Sequence, residues 1–515
     1  MKLWLDRTTG AVTMYKLILI VLAALSVLAF VLSALGLVGQ SLLALLAALP
    51  VAIVSTCATS FIAARIARVE PHLESALISA LLVFFIMKPT FDPLGLAGIA
   101  LAGVVAGLSK YVLAWRGRHL FNPAAIGTLV PTVIVLGVLT AGGPIIGLSY
   151  GTWWVGTPWM QPLVYLGAFL VLYRTQRLAL GGFFIVLTLL LAATVAVIGG
   201  QDPLAALAQA AFQSPIVFFA GFMLSEPLIL PPRRRQQFFE AIVVSVLFAV
   251  PIPVLGPLSH KPAFALIVGN LIGFAFGQRR GIRLTYEGKR PLGDGTWELS
   301  FQPDRPVRFL PGQYLELTIP HRRADFRGSR RYFSIASAPT ATGPITIAIT
   351  VPEKSSSFKR ALLDLEPGQL VVATGVHGDF ALPADTSTPL LLVAGGIGIT
   401  PFASQLAHAV ERGDERDVVI VYQTSTVGEL PYRALLEQSA ARVVLFAPER
   451  PDPLPEHWVY AGPGRVDGGR LGELVPDAAR RRAFVSGPPG LVADLRRALR
   501  ALGTRRIHTD YFSGY

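Results

Sequence analysis

Apolar residues follow two different rhythms along this chain. Up to about Phe276 they form long runs, broken by Pro, Gly and short basic clusters; beyond it charges return and apolar and polar positions alternate. A membrane-crossing helix needs about 20 mainly apolar residues. Ten segments of that character fit the first part: 15–37, 41–64, 73–88, 94–115, 123–139, 160–173, 178–199, 214–230, 238–255 and 261–277, some of them short or interrupted. From about Ile282 the period of two predicts short antiparallel strands, with turn signals at GDG (Gly293–Gly295) and PGQYLELTIP (Pro311–Pro320). Further on, LLLVAGGIGITPFASQLAHAV, DVVIVYQT (Asp417–Thr424) and RRAFVSGPPGLV (Arg481–Val492) read as an α/β alternation. The expected architecture is a polytopic α-helical membrane bundle over 1–280, an antiparallel β-barrel over 281–386 and a parallel-sheet α/β domain over 387–515.

Composition sharpens this picture. At 515 residues, 52% hydrophobic, 15% charged and with a mean hydropathy of +0.55, the chain is too apolar for an ordinary soluble protein. The net charge of +13 invites a nucleic-acid reading, but in the first part most Arg sits between apolar runs. With ten spans and an internal N-terminus, Arg65, Arg68, Arg116, Arg118, Arg174, Arg177, Arg233–Arg235 and Arg279–Arg280 fall on one side, against Lys88 and Lys261 on the other. That asymmetry places both termini in the cytoplasm, and no nucleic-acid partner is expected. The initial apolar run reads as a retained first helix, since further spans follow. The single cysteine, Cys57, reads as a structural thiol, and no metal site is expected.

An internal echo runs through the bundle. FIMKP ends at Pro89 and MLSEP at Pro227, an offset of 138, while FNPAAIG at Pro123 pairs with HKPAFALIVGN at Pro262, an offset of 139. Five spans per repeat would set the halves in opposite orientations, the inverted-repeat plan with a site at the interface.

HLFNPAAIG (His119–Gly127), GFMLSEPLILPPRRRQQ (Gly221–Gln237) and KPAFALIVGN (Lys261–Asn270) resemble the D subunit of the Rnf electron-transport complex and the B subunit of the sodium-pumping NADH:quinone reductase. The resemblance implies a ten-helix bundle that carries flavin, with FMN joined by a phosphoester to a threonine on the outer side. In PIIGLSYGTWWVGTPW, Gly147, Ser149 and Thr152 stand at the spacing of that family's flavin-attachment pattern, with Ile146 and Gly151 departing from it. Thr152 is therefore either the acceptor of FMN or another flavin, or part of an interfacial loop anchored by Trp153, Trp154 and Trp159. A bis-histidine haem is not expected, because His72, His119 and His260 all lie near loop ends.

In the second part, an apolar strand runs into GGIGITPF (Gly395–Phe402) and then a helix with Pro401 near its start. Glycines in such a turn admit a phosphate close to the backbone, and the helix start favours the anion. Gly395, Gly396, Gly398, Thr400 and Pro401 are thus candidates for coenzyme binding. RRYFSIAS (Arg330–Ser337), SSSFKRAL (Ser355–Leu362) and GVHGDFALP (Gly375–Pro383) resemble the FAD barrel of the ferredoxin–NADP reductase superfamily. The resemblance implies that Arg331 holds the FAD pyrophosphate, Phe333 lies on the isoalloxazine and Ser334 bonds near flavin N5, with Ser337 completing the motif. Tyr332, one place early, can exchange roles with Phe333. Ser356 and Ser357 stand where the family's second phosphate loop lies, without its usual glycine. Ser486 and Gly487 occupy the place of a Cys-Gly pair beside the nicotinamide, leaving hydride transfer to positioning by Thr400, Ser486 and the flavin stack. A terminal aromatic, Phe512 or Tyr515, would close the flavin face, as relatives do, with core packing in a final strand as the alternative. Both NADH and NADPH stay open, Arg433 being the nearest basic residue for a ribose phosphate.

The expectation is a membrane NAD(P)H dehydrogenase in which FAD divides the hydride pair and a second flavin in the bundle passes electrons to an extracytoplasmic flavoprotein or a quinone. Two alternatives stand beside it: a cytoplasmic reductase merely anchored in lipid, and a transporter with a redox-sensing reductase domain.

Overall fold

The computed structural model describes residues 13–67, 72–115, 118–144, 147–227, 229–276, 281–293, 295–321, 329–340, 343–352, 355–425 and 430–511. The chain forms two compact units, Met1–Arg280 and Gly281–Tyr515.

The N-terminal unit is helical. Its helices are α1 (Met14–Ala34), α2 (Leu42–Ile66), α3 (Leu73–Ile86), α4 (Pro93–Val112), α5 (Pro123–Thr140), α6 (Gln161–Arg174), α7 (Leu178–Ile198), α8 (Pro203–Phe212), α9 (Ile216–Leu224), α10 (Arg234–Ala249) and α11 (Pro262–Phe276). Local chemistry fixes several starts. Thr13, Ser41, Asp92, Asn122 and Asp202 each accept a hydrogen bond from a first-turn N–H, and Pro follows directly at α4, α5 and α8.

Each of the ten apolar segments contains helix, and part of the expected ten spans meets the length and composition of a membrane crossing. Among the described residues five helices (α1, α2, α4, α5 and α7) are long and apolar enough to cross a membrane, and a sixth exists if α8 and α9, bent by 44°, make one span. The physical reason lies in the breaks: α3 and α11 are apolar but short, and α9 winds loosely as a π-helix before stopping at Ser225. These long apolar helices suggest membrane integration. Small residues let the helices close on one another: a Cβ on Gly127 would lie 2.5 Å from the Ala102 carbonyl oxygen, and one on Gly221 2.5 Å from the Ala168 methyl. The echoed segments meet: the Asn122 N–H donates to Asn270 Oδ1 at 2.7 Å, and Asn122 Nδ2 donates to Glu226 Oε2 at 2.9 Å.

The C-terminal unit has two sheets. Strands β1 (Ile282–Pro291), β2 (Thr296–Pro303), β3 (Tyr314–Thr318), β4 (Arg330–Ser334), β5 (Ile345–Thr350) and β6 (Leu370–His377) form an antiparallel sheet in the order β4-β3-β6-β1-β2-β5. The expected antiparallel barrel is formed in part, as a half-barrel with, among the described residues, one isolated bridge, Ile335↔Ile347, across its seam. Alternate side chains such as Leu284, Leu299, Leu315, Ile347 and Val371 fill its core, together with Phe358 and Leu362 from α12 (Ser357–Leu363).

The second sheet is parallel. Its strands are β7 (Leu390–Gly395), β8 (Val418–Gln423), β9 (Arg442–Phe446), β10 (Trp458–Gly462), β11 (Arg482–Gly487) and β12 (Ile507–Tyr511), in the order β10-β9-β8-β7-β11-β12. Helices α13 (Thr400–Arg412), α14 (Arg433–Gln438), α15 (Gly468–Leu474) and α16 (Pro489–Ala501) connect them. β7, buried at every position, turns the chain direction between β8 and β11, a switch point of the kind where open parallel sheets bind ligands.

Candidate functional site

Two glycine turns meet at that switch point. β7 ends at Gly395, Gly396 adopts φ +54° with open space where a side chain would stand, and α13 starts at Thr400 with Pro401 in its first turn. A Cβ on Gly398 would lie 2.4 Å from the Ser486 carbonyl oxygen, and one on Gly395 2.2 Å from Leu491. Only glycine therefore permits the GGIG turn to lie on the Ser486–Gly487 turn at the end of β11. The Ser486 hydroxyl is fully buried there and has no hydrogen-bond partner among the described residues. Thr400 instead spends its hydroxyl on the Ile397 carbonyl at 2.9 Å, so it braces the turn.

The half-barrel is laced to α13 beside this turn. Ser404 Oγ donates to the Ser337 carbonyl at 2.6 Å and Gln405 Nε2 to the Phe380 carbonyl at 2.7 Å. Ser337 also accepts the Thr346 N–H on its own hydroxyl at 3.1 Å, which gives this motif serine a structural engagement. On β4, Arg331 and Phe333 lie over Phe358: the guanidinium stands 5.2 Å from the ring centroid and the Phe333 ring stacks at 5.9 Å. Tyr332 points the other way, 54% exposed, edge-on to Tyr314 at 5.5 Å, and Tyr314 lies 6.1 Å from the His377 ring. The exposed aromatic is thus Tyr332, while Phe333 joins the core. Ser334 follows, buried and opposite Tyr314 in the register.

Ser356 caps α12 through the Lys359 N–H at 3.3 Å, and Ser357 shares a 3.0 Å hydrogen bond with His321 Nε2. Arg433 pairs with Glu437 at 2.6 Å and donates to the Pro453 carbonyl. Phe512 and Tyr515 lie outside the described residues.

The sequence reading passed over Asp510. It stands beside Ser486 in the β11–β12 register, and burial pushes its carboxyl up to about 6, opposed by a hydrogen bond from the Tyr511 N–H and reinforced by the charge of Asp379. Nothing in a lone Asp near the end of a strand pattern marks it; only the pairing of β12 with β11 does.

In the N-terminal unit, Thr152 has its own setting. Its N–H and that of Trp153 both donate to the Ile86 carbonyl at 2.9 Å, where α3 stops, and the Gly151 N–H donates to Thr132 Oγ1 at 2.8 Å. Ser149 Oγ donates to the Lys88 carbonyl at 2.7 Å. Thr152 lines a cleft of about 310 Å³ with Thr128, Thr132, Trp153, His260 and Lys261 among its walls. Trp153 and His260 hold positive φ angles of 54° and 42°, strained for such residues. Of the three tryptophans of this loop, Trp153 and Trp154 are buried and Trp159 is exposed.

Residues 392–497 match the oxidoreductase NAD-binding domain family. The C-terminal unit carries an FAD/NAD(P)-binding, ferredoxin reductase-like domain. Among its relatives, the stachydrine N-demethylase reductase subunit of Rhizobium meliloti is 28% identical over 44% of this chain and 65% of its own length. The ferredoxin reductase component of 3-ketosteroid-9-alpha-monooxygenase from Mycolicibacterium smegmatis is 30% identical over 40% of this chain and 56% of its own. An NADPH oxidoreductase of Mycobacterium tuberculosis is 28% identical over 42% and 54%. This chain thus spans about half to two-thirds of the length of those relatives, and the family match does not extend into the helical unit. In the reductase-like domain the groups present suit both cofactors: an orphaned buried hydroxyl, a glycine cradle that a Cβ would fill, and an exposed tyrosine beside an arginine-bearing strand.

Proposed function

We propose that the chain is a membrane flavin-dependent NAD(P)H oxidoreductase that moves electrons from cytoplasmic coenzyme into or across the bilayer. The observation that carries this is the coenzyme turn at Gly395–Gly398, packed on Ser486–Gly487, in the same chain as a unit with several membrane-length apolar helices. A tether would need only one such helix.

In this reading the Gly396 turn and the start of α13 receive the coenzyme phosphates, and Ser486 gives its unpartnered hydroxyl to the nicotinamide. Arg331 neutralises the FAD pyrophosphate, with Tyr332 or Phe333 against the ring and Ser334 near its reacting nitrogen. Ser337, Ser356 and Ser357 hold the loops around it, and Phe512 or Tyr515 covers the far face. Bound FAD supplies the conversion of a hydride into single electrons. The bilayer core, about 30 Å thick, is too wide for one efficient jump, so a second flavin at Thr152 completes the path. The acceptor is an extracytoplasmic flavoprotein or a quinone. The ten-span, inverted-repeat organisation belongs to this reading.

A visible spectrum of the detergent-purified chain, before and after acid precipitation, tests it. Flavin in excess of the FAD of the reductase-like domain is expected, and no second flavin and no haem would leave a transmembrane path without a carrier. The relatives' names, reductase components of oxygenases, favour a second reading in which the helices only anchor a reductase that serves a soluble acceptor.

A further inference from the structure

One edge of the parallel sheet carries an unusual charge. Between residues 478 and 506 the sequence holds eight arginines and a single acidic residue, Asp494. Arg481 is buried between Asp417 and Asp477, at 2.7 and 2.8 Å. Arg480, Arg496, Arg497, Arg500, Arg505 and Arg506 are exposed. Folding gathers them: Thr504 Oγ1 donates to the Ala478 carbonyl at 2.9 Å, and the Ala483 N–H donates to the Arg506 carbonyl at 2.9 Å. This brings the turn after α16 against the segment before β11. Among the described residues, Arg497 alone of the six has a side-chain ion pair, with Asp494 at 2.5 Å.

The nucleotide does not account for this face. Arg482 opens β11 and Gly487 closes it, so the cluster lies at the strand starts, about 17 Å from the glycine turns at the strand ends. Like charges gathered on one exposed face repel one another and are stabilised by a polyanionic partner. A partner of that kind is close by. Only residues 277–281 separate α11 from β1, a covalent tether of at most about 20 Å, and the cytoplasmic leaflet of a membrane is anionic. Confinement at that distance makes even weak headgroup contacts count.

We propose that this arginine face docks on anionic lipid headgroups of the membrane that holds the N-terminal unit. Docked there, the strand starts meet lipid and the strand ends, with the coenzyme turns, stay open to the cytoplasm. The inference rests on the N-terminal unit being embedded in a bilayer.

The test uses the full chain in nanodiscs of phosphatidylcholine alone or with phosphatidylglycerol. Arginine modification by phenylglyoxal is followed residue by residue by mass spectrometry, with exposed Arg450 as the internal control. Arg496, Arg500, Arg505 and Arg506 are expected to react about tenfold more slowly in the anionic discs, with high salt removing the protection. Combined R496Q, R500Q and R505Q substitutions should remove the protection of Arg506. Equal rates in both lipids overturn the proposal, as does protection that appears only when a soluble acidic protein, a [2Fe–2S] ferredoxin, is added to neutral discs. Ferricyanide reduction by NADH in the same discs reports the reductase separately, so its failure is distinguishable from failure of docking.

Discussion

Ser334 and Ser486 illustrate how little a single residue reveals before the fold places it. Both are small buried serines, yet one ends an edge strand of the half-barrel and the other carries an unpartnered hydroxyl under the coenzyme turn. Ser334→Ala is expected to slow hydride transfer by about 10- to 100-fold while FAD content stays at the wild-type level, as stopped-flow reduction and flavin extraction would record. Asp510 gives a pH prediction. Its carboxyl is raised to about 6, so the folded state binds a proton more tightly than the unfolded chain does. Stability from this group is then present at low pH and is lost as pH rises through about 6. Asp510→Asn should stabilise the chain by about 3 kcal/mol at pH 7, with the advantage vanishing near pH 4; a pH series of melting temperatures in detergent checks it, and a constant gap would contradict it. Gly395, Gly398 and Ser486 could be singled out from the sequence because their spacing follows a strand. Asp510 could not, because its neighbour in space lies 24 positions away in the register.

At the scale of elements, the strand–turn–helix over Leu390–Arg412 was legible since an apolar run, two kinds of glycine signal and a proline follow one another in order. The number of spans was not. Composition marks α3 and α11 as apolar, but length is decided where the chain turns at Met87 and Pro262, and sequence boundaries are soft there. Closure of the barrel was likewise illegible, since alternation fixes which side chains face inward but not how the edge strands meet. The turn packing at Gly398 makes an element-level prediction. Gly398→Ala forces a methyl into the Ser486 backbone, so a loss of about 1–3 kcal/mol and a sharp rise in coenzyme KM are expected, read by thermal melts and steady-state kinetics with ferricyanide. Gly396→Ala meets open space but a strained φ, and should cost about 1 kcal/mol.

For the whole molecule, the decisive question is whether the Thr152 cleft holds flavin. Coexpression with a flavin transferase should give a fluorescent band in a denaturing gel, and Thr152→Ala should remove it; extractable flavin without a band would mean a noncovalent site. The order of assembly adds a further consequence of the sheet. β7 completes its pairing only with β11, which lies far along the chain, with three strands between them in sequence. Chains fold as they emerge from the ribosome, N-terminal parts first. The GGIG turn therefore gains its β11 partner only after Arg482–Gly487 has been made, long after the helical unit has left the ribosome. In a nascent chain the GGIG turn thus stays uncovered until long after the helical unit has emerged.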